Sequence, residues 1–365
     1  MRPFRFAVFA LAALVVLSLG FALIPAEKPA PAQPSFSERA RTAALGDALD
    51  LRAAGTQLRS TGAADPGALE PVVTLLTIQA RALLPPAQES APAAPTAAGT
   101  PSSPVIPPSA AELVQALARS GTARIKDAET ADGGMARLLA GTGTAQLLAA
   151  GRLAAAAGVP GPQATPGPDE AAGAEDAAPG PAPAFPCPSP SQVVAKDGAS
   201  LTTPAGTQEA LAAAIAAEQQ AVYGYQAALP RLAPAEAGPA AEFLGRHRQL
   251  AAAAEERLQR ACGTSVPQQP GYVLDPGFLA APAAGLARLE AATLSSYGDV
   301  VAVTEGQDRK WALSALQSAA VRAARWGADP GPVPGLTLDV DQLPALPAGR
   351  SLPAATGPAP SSTGS

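Results

Sequence analysis

This chain has one histidine, two cysteines, and aromatic side chains at only 4% of its residues. A single histidine confines imidazole chemistry to His247. A Ser-His-Asp arrangement has no other residue to use, and no serine stands out as its nucleophile. Cys-x-x-Cys is absent, as are a P-loop, a dinucleotide fingerprint and Gly-x-Ser-x-Gly. Charged residues are sparse at 15%, the net charge is −5, and no basic patch of nucleic-acid type occurs, which argues against DNA or RNA binding. Asp339-Val340-Asp341 is too isolated to form a calcium loop.

Proline and glycine are plentiful at 41 and 34 residues, so part of the chain must be linker. Arg2 and Arg5 precede a 19-residue apolar run at 6–24, broken only by Ser18 and Gly20. Positive charge before such a run predicts export of the rest of the chain. Residues 1–24 are therefore a cleaved signal peptide or a retained anchor, and 25–35 a stiff proline-rich spacer. The two cysteines, Cys187 and Cys262, suit an oxidising compartment and are the only pair that can bond. Closing a loop of that length stabilises by about 4 kcal/mol in the chain-entropy model. The alternative is two free thiols.

Helical periodicity predicts two helical regions. In the first, 36–157, helices are expected at 36–59, with Leu45, Leu49 and Leu58 on the apolar side, and at 68–84. A Pro/Ala/Ser tract at 85–108 comes next. Ser109 then caps a helix to about Glu129, and 133–157 is the fourth. From Ser37 to Ala184 there is no Phe, Tyr, Trp, His or Cys, so the acids Asp47, Asp50, Glu112 and Asp127 are expected to have no nitrogen or sulfur partner nearby and a catalytic site is not expected there. This region reads as a small-residue scaffold or partner surface. Residues 158–206 read as disordered linker and 328–365 as a mostly disordered tail, of which 336–343 can pack back on the bundle.

The second region, 207–327, holds both Trp, all four Tyr and His247. Helices are expected at 208–229, about 235–262 with Gly263 as C-cap, 283–305 with Gly306 after it, and 308–326 closed by Gly327. The 264–281 connection is long enough to cross a four-helix bundle, as one connection in ferritin-like folds does. On the first of these helices Leu211, Ile215, Glu218, Val222, Tyr225 and Leu229 follow steps of 4, 3, 4, 3 and 4, which puts a carboxylate on the packing stripe. His247 and Glu290 also lean inward. Glu218, His247 and Glu290 are thus candidate ligands for iron, manganese or zinc. The full di-metal pattern needs Glu-x-x-His on two helices. Here Glu242 lies five residues before His247, and 309–326 has no Asp, Glu or His. The competing reading is a buried polar network in which Glu218 bonds Tyr297, His247 or an arginine such as Arg288 or Arg322. A third is a small-ligand or partner pocket lined by Tyr223, Tyr225 and Trp311.

Residues 213–225, Ala-Ala-Ile-Ala-Ala-Glu-Gln-Gln-Ala-Val-Tyr-Gly-Tyr, occur with Arg246-His247-Arg248 and with Ala320-Val-Arg322-Ala-Ala-Arg325-Trp326. Together they resemble an actinobacterial ferritin-like domain family of unknown function, over about a third of the chain. Asp132-Gly-Gly-Met-Ala-Arg-Leu-Leu139 is similar to the companion region of such proteins. The resemblance implies a ferritin-like four-helix bundle in exported or membrane-tethered proteins and implies no activity. The expectation is an all-α chain with a helical-hairpin module, a ferritin-like bundle and Pro/Ala-rich connectors. It would be a non-enzymatic cell-envelope protein without cofactor, binding an envelope protein or small ligand. The alternative is a metalloprotein using the Glu/His/Glu set.

Overall fold

The structure is a computed structural model that describes residues 33–62, 65–85, 109–162 and 204–347. The apolar leader, most of each expected connector, Cys187 and the tail beyond 347 lie outside the described residues. The chain divides into two units, Met1–Ser35 and Phe36–Ser365, and the described helices all belong to the second.

The fold is all-α, with no strand among the described residues. Four helices come first: α1 Phe36–Thr61, α2 Pro66–Leu83, α3 Ala110–Ala128 and α4 Gly133–Ala157. Local chemistry sets their ends. The Ser109 hydroxyl accepts from the Glu112 amide and bonds its carboxylate, which holds the first turn of α3. Asp132 accepts from the Met135 amide to start α4. Gly158, at φ +65°, stops it. The core face of α1 is mainly alanine (Ala40, Ala44, Ala48, Ala54), with Leu51 and Leu58. Leu49, expected on that face, is exposed: small residues let neighbouring helices approach, and the larger side chain is left on the rim. Helices α3 and α4 approach closely, and a Cβ on Gly143 would stand 2.6 Å from the Gly121 carbonyl.

The second group is α5 Pro204–Ala228, α6 Pro234–Arg260, the short α7 Pro276–Ala280, α8 Pro282–Val303 and α9 Gly306–Arg325. A 3-10 turn, Leu229–Arg231, joins α5 to α6, because Pro230 cannot continue the α-helical bond pattern. Gln208, near the start of α5, donates to the Ala261 carbonyl just past α6, and Thr207 donates to the last carbonyl of α8, that of Val303. Arg260 at the end of α6 pairs with Asp308 at the start of α9 (3.1 Å). These contacts give the directions. α5 and α9 run away from that end, whereas α6 and α8 run toward it. The connection between the parallel α6 and α8 therefore travels the length of the bundle, and α7 lies within it. Packing closes a ring: α5 on α6 and α8, α9 on α8 and α6.

Two ends differ from expectation. At the end of α6 the left-handed residue is Cys262 (φ 60°), not Gly263. Gly263 donates to the Leu258 carbonyl, and a Cβ on it would meet Leu258 Cδ1 at 2.1 Å, so any larger residue there must push the Leu258 side chain aside. Gly306 opens α9 rather than following α8, which already stops at Val303.

The two groups share one core. Helix α4 packs on α8 and α9, and Gly133 lets its first turn lie on the Ala302 carbonyl. Arg309 of α9, almost wholly buried, donates to the Ala131 carbonyl in the α3–α4 turn (2.6 Å). The segment 328–347 packs onto the same surface. Gln79 Nε2 donates to the Pro332 carbonyl (2.9 Å), Arg137 to the Gly335 carbonyl (2.6 Å), and Val333 is buried. Among the described residues no helix is long and apolar enough to cross a membrane.

Gly298 of α8 and Gly335 of the C-terminal segment meet backbone to backbone, and a Cβ on Gly298 would stand 2.1 Å from the Gly335 carbonyl oxygen. Gly298→Ala is expected to destabilise by about 1–3 kcal/mol, the usual cost of overpacking. Gly245→Ala, a mid-helix position with nothing within 4 Å of its Cβ, is expected to stabilise by about 0.5–1 kcal/mol. Denaturant midpoints of the two variants check the contrast.

Candidate functional site: a buried ion network

The inward stripe of α5 carries Glu218 and Tyr225 into the bundle, α6 carries His247, α8 carries Glu290 and Tyr297, and α9 carries Arg322. All six are at most 2% exposed. The three residues expected as ligands from sequence meet. His247 Nδ1 lies 2.6 Å from Glu218 Oε2, and its Nε2 lies 2.9 Å from Glu290 Oε1. Tyr297 donates to Glu218 Oε1 at 2.6 Å and Tyr225 to Glu290 Oε1 at 2.6 Å. Arg322 Nε donates to both Glu290 oxygens at 3.0 Å, and its Nη1 donates to Ser318 (3.0 Å). Arg322 Nη2 is buried with no hydrogen-bond partner among the described residues. Arg288, the other candidate arginine, is on the outside with Asp275 (3.7 Å).

Each imidazole nitrogen of His247 faces a glutamate oxygen. Opposite two carboxylates, which only accept, both nitrogens donate and the ring is an imidazolium. Two carboxylates, one imidazolium and one guanidinium then sum to zero charge. Burial pushes the His247 pKa down, but its hydrogen bonds to Glu218 and Glu290 and their charges overcome this and leave it raised. Burial alone raises Glu290, yet the Arg322 charge, then His247 and Tyr225, hold it below the ordinary carboxylate range. For Arg322 burial again opposes the charge, and Glu290 and Glu218 reverse it. Both tyrosines are raised, first by burial and then by the adjacent carboxylate, so they stay protonated donors.

Sequence reasoning missed Trp326, whose Nε1 donates to Tyr225 Oη at 2.6 Å. It also left the pairing of the tyrosines unresolved, although a signal was present. Tyr225 is seven residues after Glu218, and Tyr297 seven after Glu290. On two antiparallel helices equal spacings cross over, so each tyrosine reaches the other helix's glutamate. The three aromatics considered as a pocket lining face different partners. Tyr225 belongs to the network, Trp311 packs edge-on against Tyr297 (5.8 Å), and Tyr223 packs on Tyr272 of the crossover (5.6 Å). A cleft of about 440 Å³ lies instead between α5 and α6 beneath the crossover, lined by residues including Gln219, Val222, Arg248 and Val266. Cys262 is disulfide-bonded.

Removing one member of a buried ion pair strands the other. Arg322→Met is expected to cost about 3–5 kcal/mol, and adding Glu290→Gln should recover much of that loss. The sign of the pH effect is also set. His247 is raised above 6.5, so its contribution is full below that pH and is lost as pH rises through the folded value. Glu290 is lowered from 4.5, so its contribution holds above that pH and is lost as pH falls through the folded value. Unfolding free energy should therefore decline from about pH 6.5 upward, by at most about 1.4 kcal/mol per pH unit. His247→Gln should flatten that limb in denaturant titrations, since no other histidine exists.

Comparison with known proteins is sparse. No curated protein and no solved structure matches the chain. Residues 210–338, which take in nearly all of the helix ring and the start of the C-terminal segment, match a domain of unknown function (DUF4439).

Proposed function

We propose that this is an exported, non-enzymatic cell-envelope protein whose ferritin-like bundle serves as a binding and scaffold module. The observation that carries the reading is the self-closure of the Glu218/His247/Glu290/Arg322 network. In four-helix carboxylate proteins such inward residues hold metal ions. Here the residues do not fit a divalent cation. Both imidazole nitrogens are spent on carboxylates, and a guanidinium supplied by α9 lies against both oxygens of Glu290.

The ferritin-like assignment is supported by two antiparallel hairpins with one lengthwise crossover between them. The extracytoplasmic assignment is supported by the arginine-led apolar segment 6–24 and by the disulfide at Cys262. The binding role rests on what the molecule presents outward. The crossover runs largely exposed along the bundle, with Val273 at 97% exposure, and borders the cleft between α5 and α6. An envelope protein or small ligand is the partner class.

The test is the metal content of the full chain, expressed in an oxidising compartment and purified without chelator. The expected result is no stoichiometric iron, manganese or zinc, with Glu218→Ala lowering stability and leaving metal content unchanged. One or two equivalents of metal, lost on Glu218→Ala, would make the protein a Glu/His/Glu metalloprotein instead.

A further inference from the structure

The network has a property that neither scaffolding nor metal binding uses. Hydrogen bonds run without a gap from Trp326 through Tyr225, Glu290, His247 and Glu218 to Tyr297. Aromatic rings follow the same line. Trp326 and Tyr225 centroids are 6.1 Å apart, Tyr225 and His247 4.9 Å, and Tyr297 and Trp311 5.8 Å. Each buried phenol thus has a carboxylate oxygen 2.6 Å from its own oxygen and an indole against its ring.

We propose that Tyr225 is a one-electron donor, oxidised through Trp326 by a dissolved one-electron oxidant, with Glu290 taking its proton, and that Tyr297 and Glu218 repeat the arrangement behind it. A phenol that loses an electron becomes a strong acid, so its oxidation is easiest where a base already sits on the hydroxyl. The step balances with an organic peroxyl radical as the oxidant. The electron leaves Tyr225 by way of Trp326 and reduces the peroxyl, which takes a solvent proton and becomes a hydroperoxide. The phenolic proton moves along the existing hydrogen bond to Glu290, and a neutral tyrosyl radical remains. The Trp326 N–H then donates to the radical's oxygen.

The route has a direction. Trp326 is 7% exposed, whereas Tyr225 and Tyr297 are at most 1% exposed. The alternative outlet, Trp311, carries the Arg257 guanidinium 4.2 Å above its ring, and a cation there opposes a departing electron. Arg325 stands farther from the Trp326 ring, at 5.9 Å. The outer tyrosines Tyr223 and Tyr272 pair with each other, and no carboxylate bond to either is present among the described residues.

The experiment uses the full chain, a photogenerated ruthenium tris-bipyridine oxidant, and freeze-quench electron paramagnetic resonance. The expected result is a tyrosyl radical in the parent protein that persists in the Tyr223→Phe/Tyr272→Phe variant and is lost in Tyr225→Phe/Tyr297→Phe. Circular dichroism checks that the latter pair still folds. Trp326→Phe leaves both tyrosines in place and is expected to slow radical formation, which keeps the test decisive if the double variant unfolds. No tyrosyl signal in the parent protein would overturn the proposal. So would a signal that depends on Tyr223 and Tyr272, or formation unaffected by Trp326→Phe.

Discussion

Everything in the bundle depends on His247 standing as an imidazolium between two carboxylates from different helices. Remove its charge and Glu218 and Glu290 face each other in a buried core with only Arg322 to balance them. With it, α5, α6, α8 and α9 are tied together by bonds of 2.6 to 3.0 Å. Alanine-rich helices need such a device. Ala214, Ala221, Ala254, Ala287, Ala312 and Ala319 are all buried, and a surface of small, similar side chains gives little resistance to sliding by one turn. A turn is about 5.4 Å, which would break every bond in the network. The polar core therefore sets the register that the apolar core leaves loose.

The reciprocal glutamate–tyrosine pairing extends that control along the helix axis. Seven residues are two turns, about 10.5 Å. Tyr225 and Tyr297 therefore lock α5 to α8 at two levels, one on each side of His247. The residue that α9 brings to Glu290 is a guanidinium, Arg322, and the inner face of that helix carries no Asp or Glu, so its contribution to the core is a positive charge.

The helices were legible because periodicity and punctuation agree: Ser109 starts an element and Gly327 follows the end of one, as their backbone chemistry requires. The meeting of Glu218, His247 and Glu290 was legible too, since polar residues on an apolar stripe have few places to go. What escaped was pairing across distance. Nothing local distinguishes Arg322 from Arg288, yet one is buried on Glu290 and the other is outside on Asp275. The same holds for Arg124, which draws Asp47 from 77 residues away, a pairing that no local pattern announces. Trp326 escaped because it lies one residue past the end of α9, where helical phase no longer predicts direction.

The N-terminal helices owe their place to α9. That helix buries about half of its circumference, with Arg309, Trp311, Ala312, Leu313, Ala315, Leu316, Ala319, Ala320, Arg322 and Ala323 inside. A helix at the edge of a four-helix ring shows one face to its partners, and α9 buries more than one. The additional cover comes from α4, from the carbonyls of the α3–α4 turn that receive Arg309, and from the core shared by the two groups. The Asp132-Gly-Gly-Met-Ala-Arg-Leu-Leu139 segment is built for this contact. Asp132 starts the helix, Gly133 removes the side chain that would strike Ala302, and Arg137 reaches Asp299 (2.5 Å) and the Gly335 carbonyl. A stretch that read from sequence as a scaffold lacking chemistry is thus the cover of the helix that supplies Arg322. The charge balance at Glu290 depends on that cover staying in place.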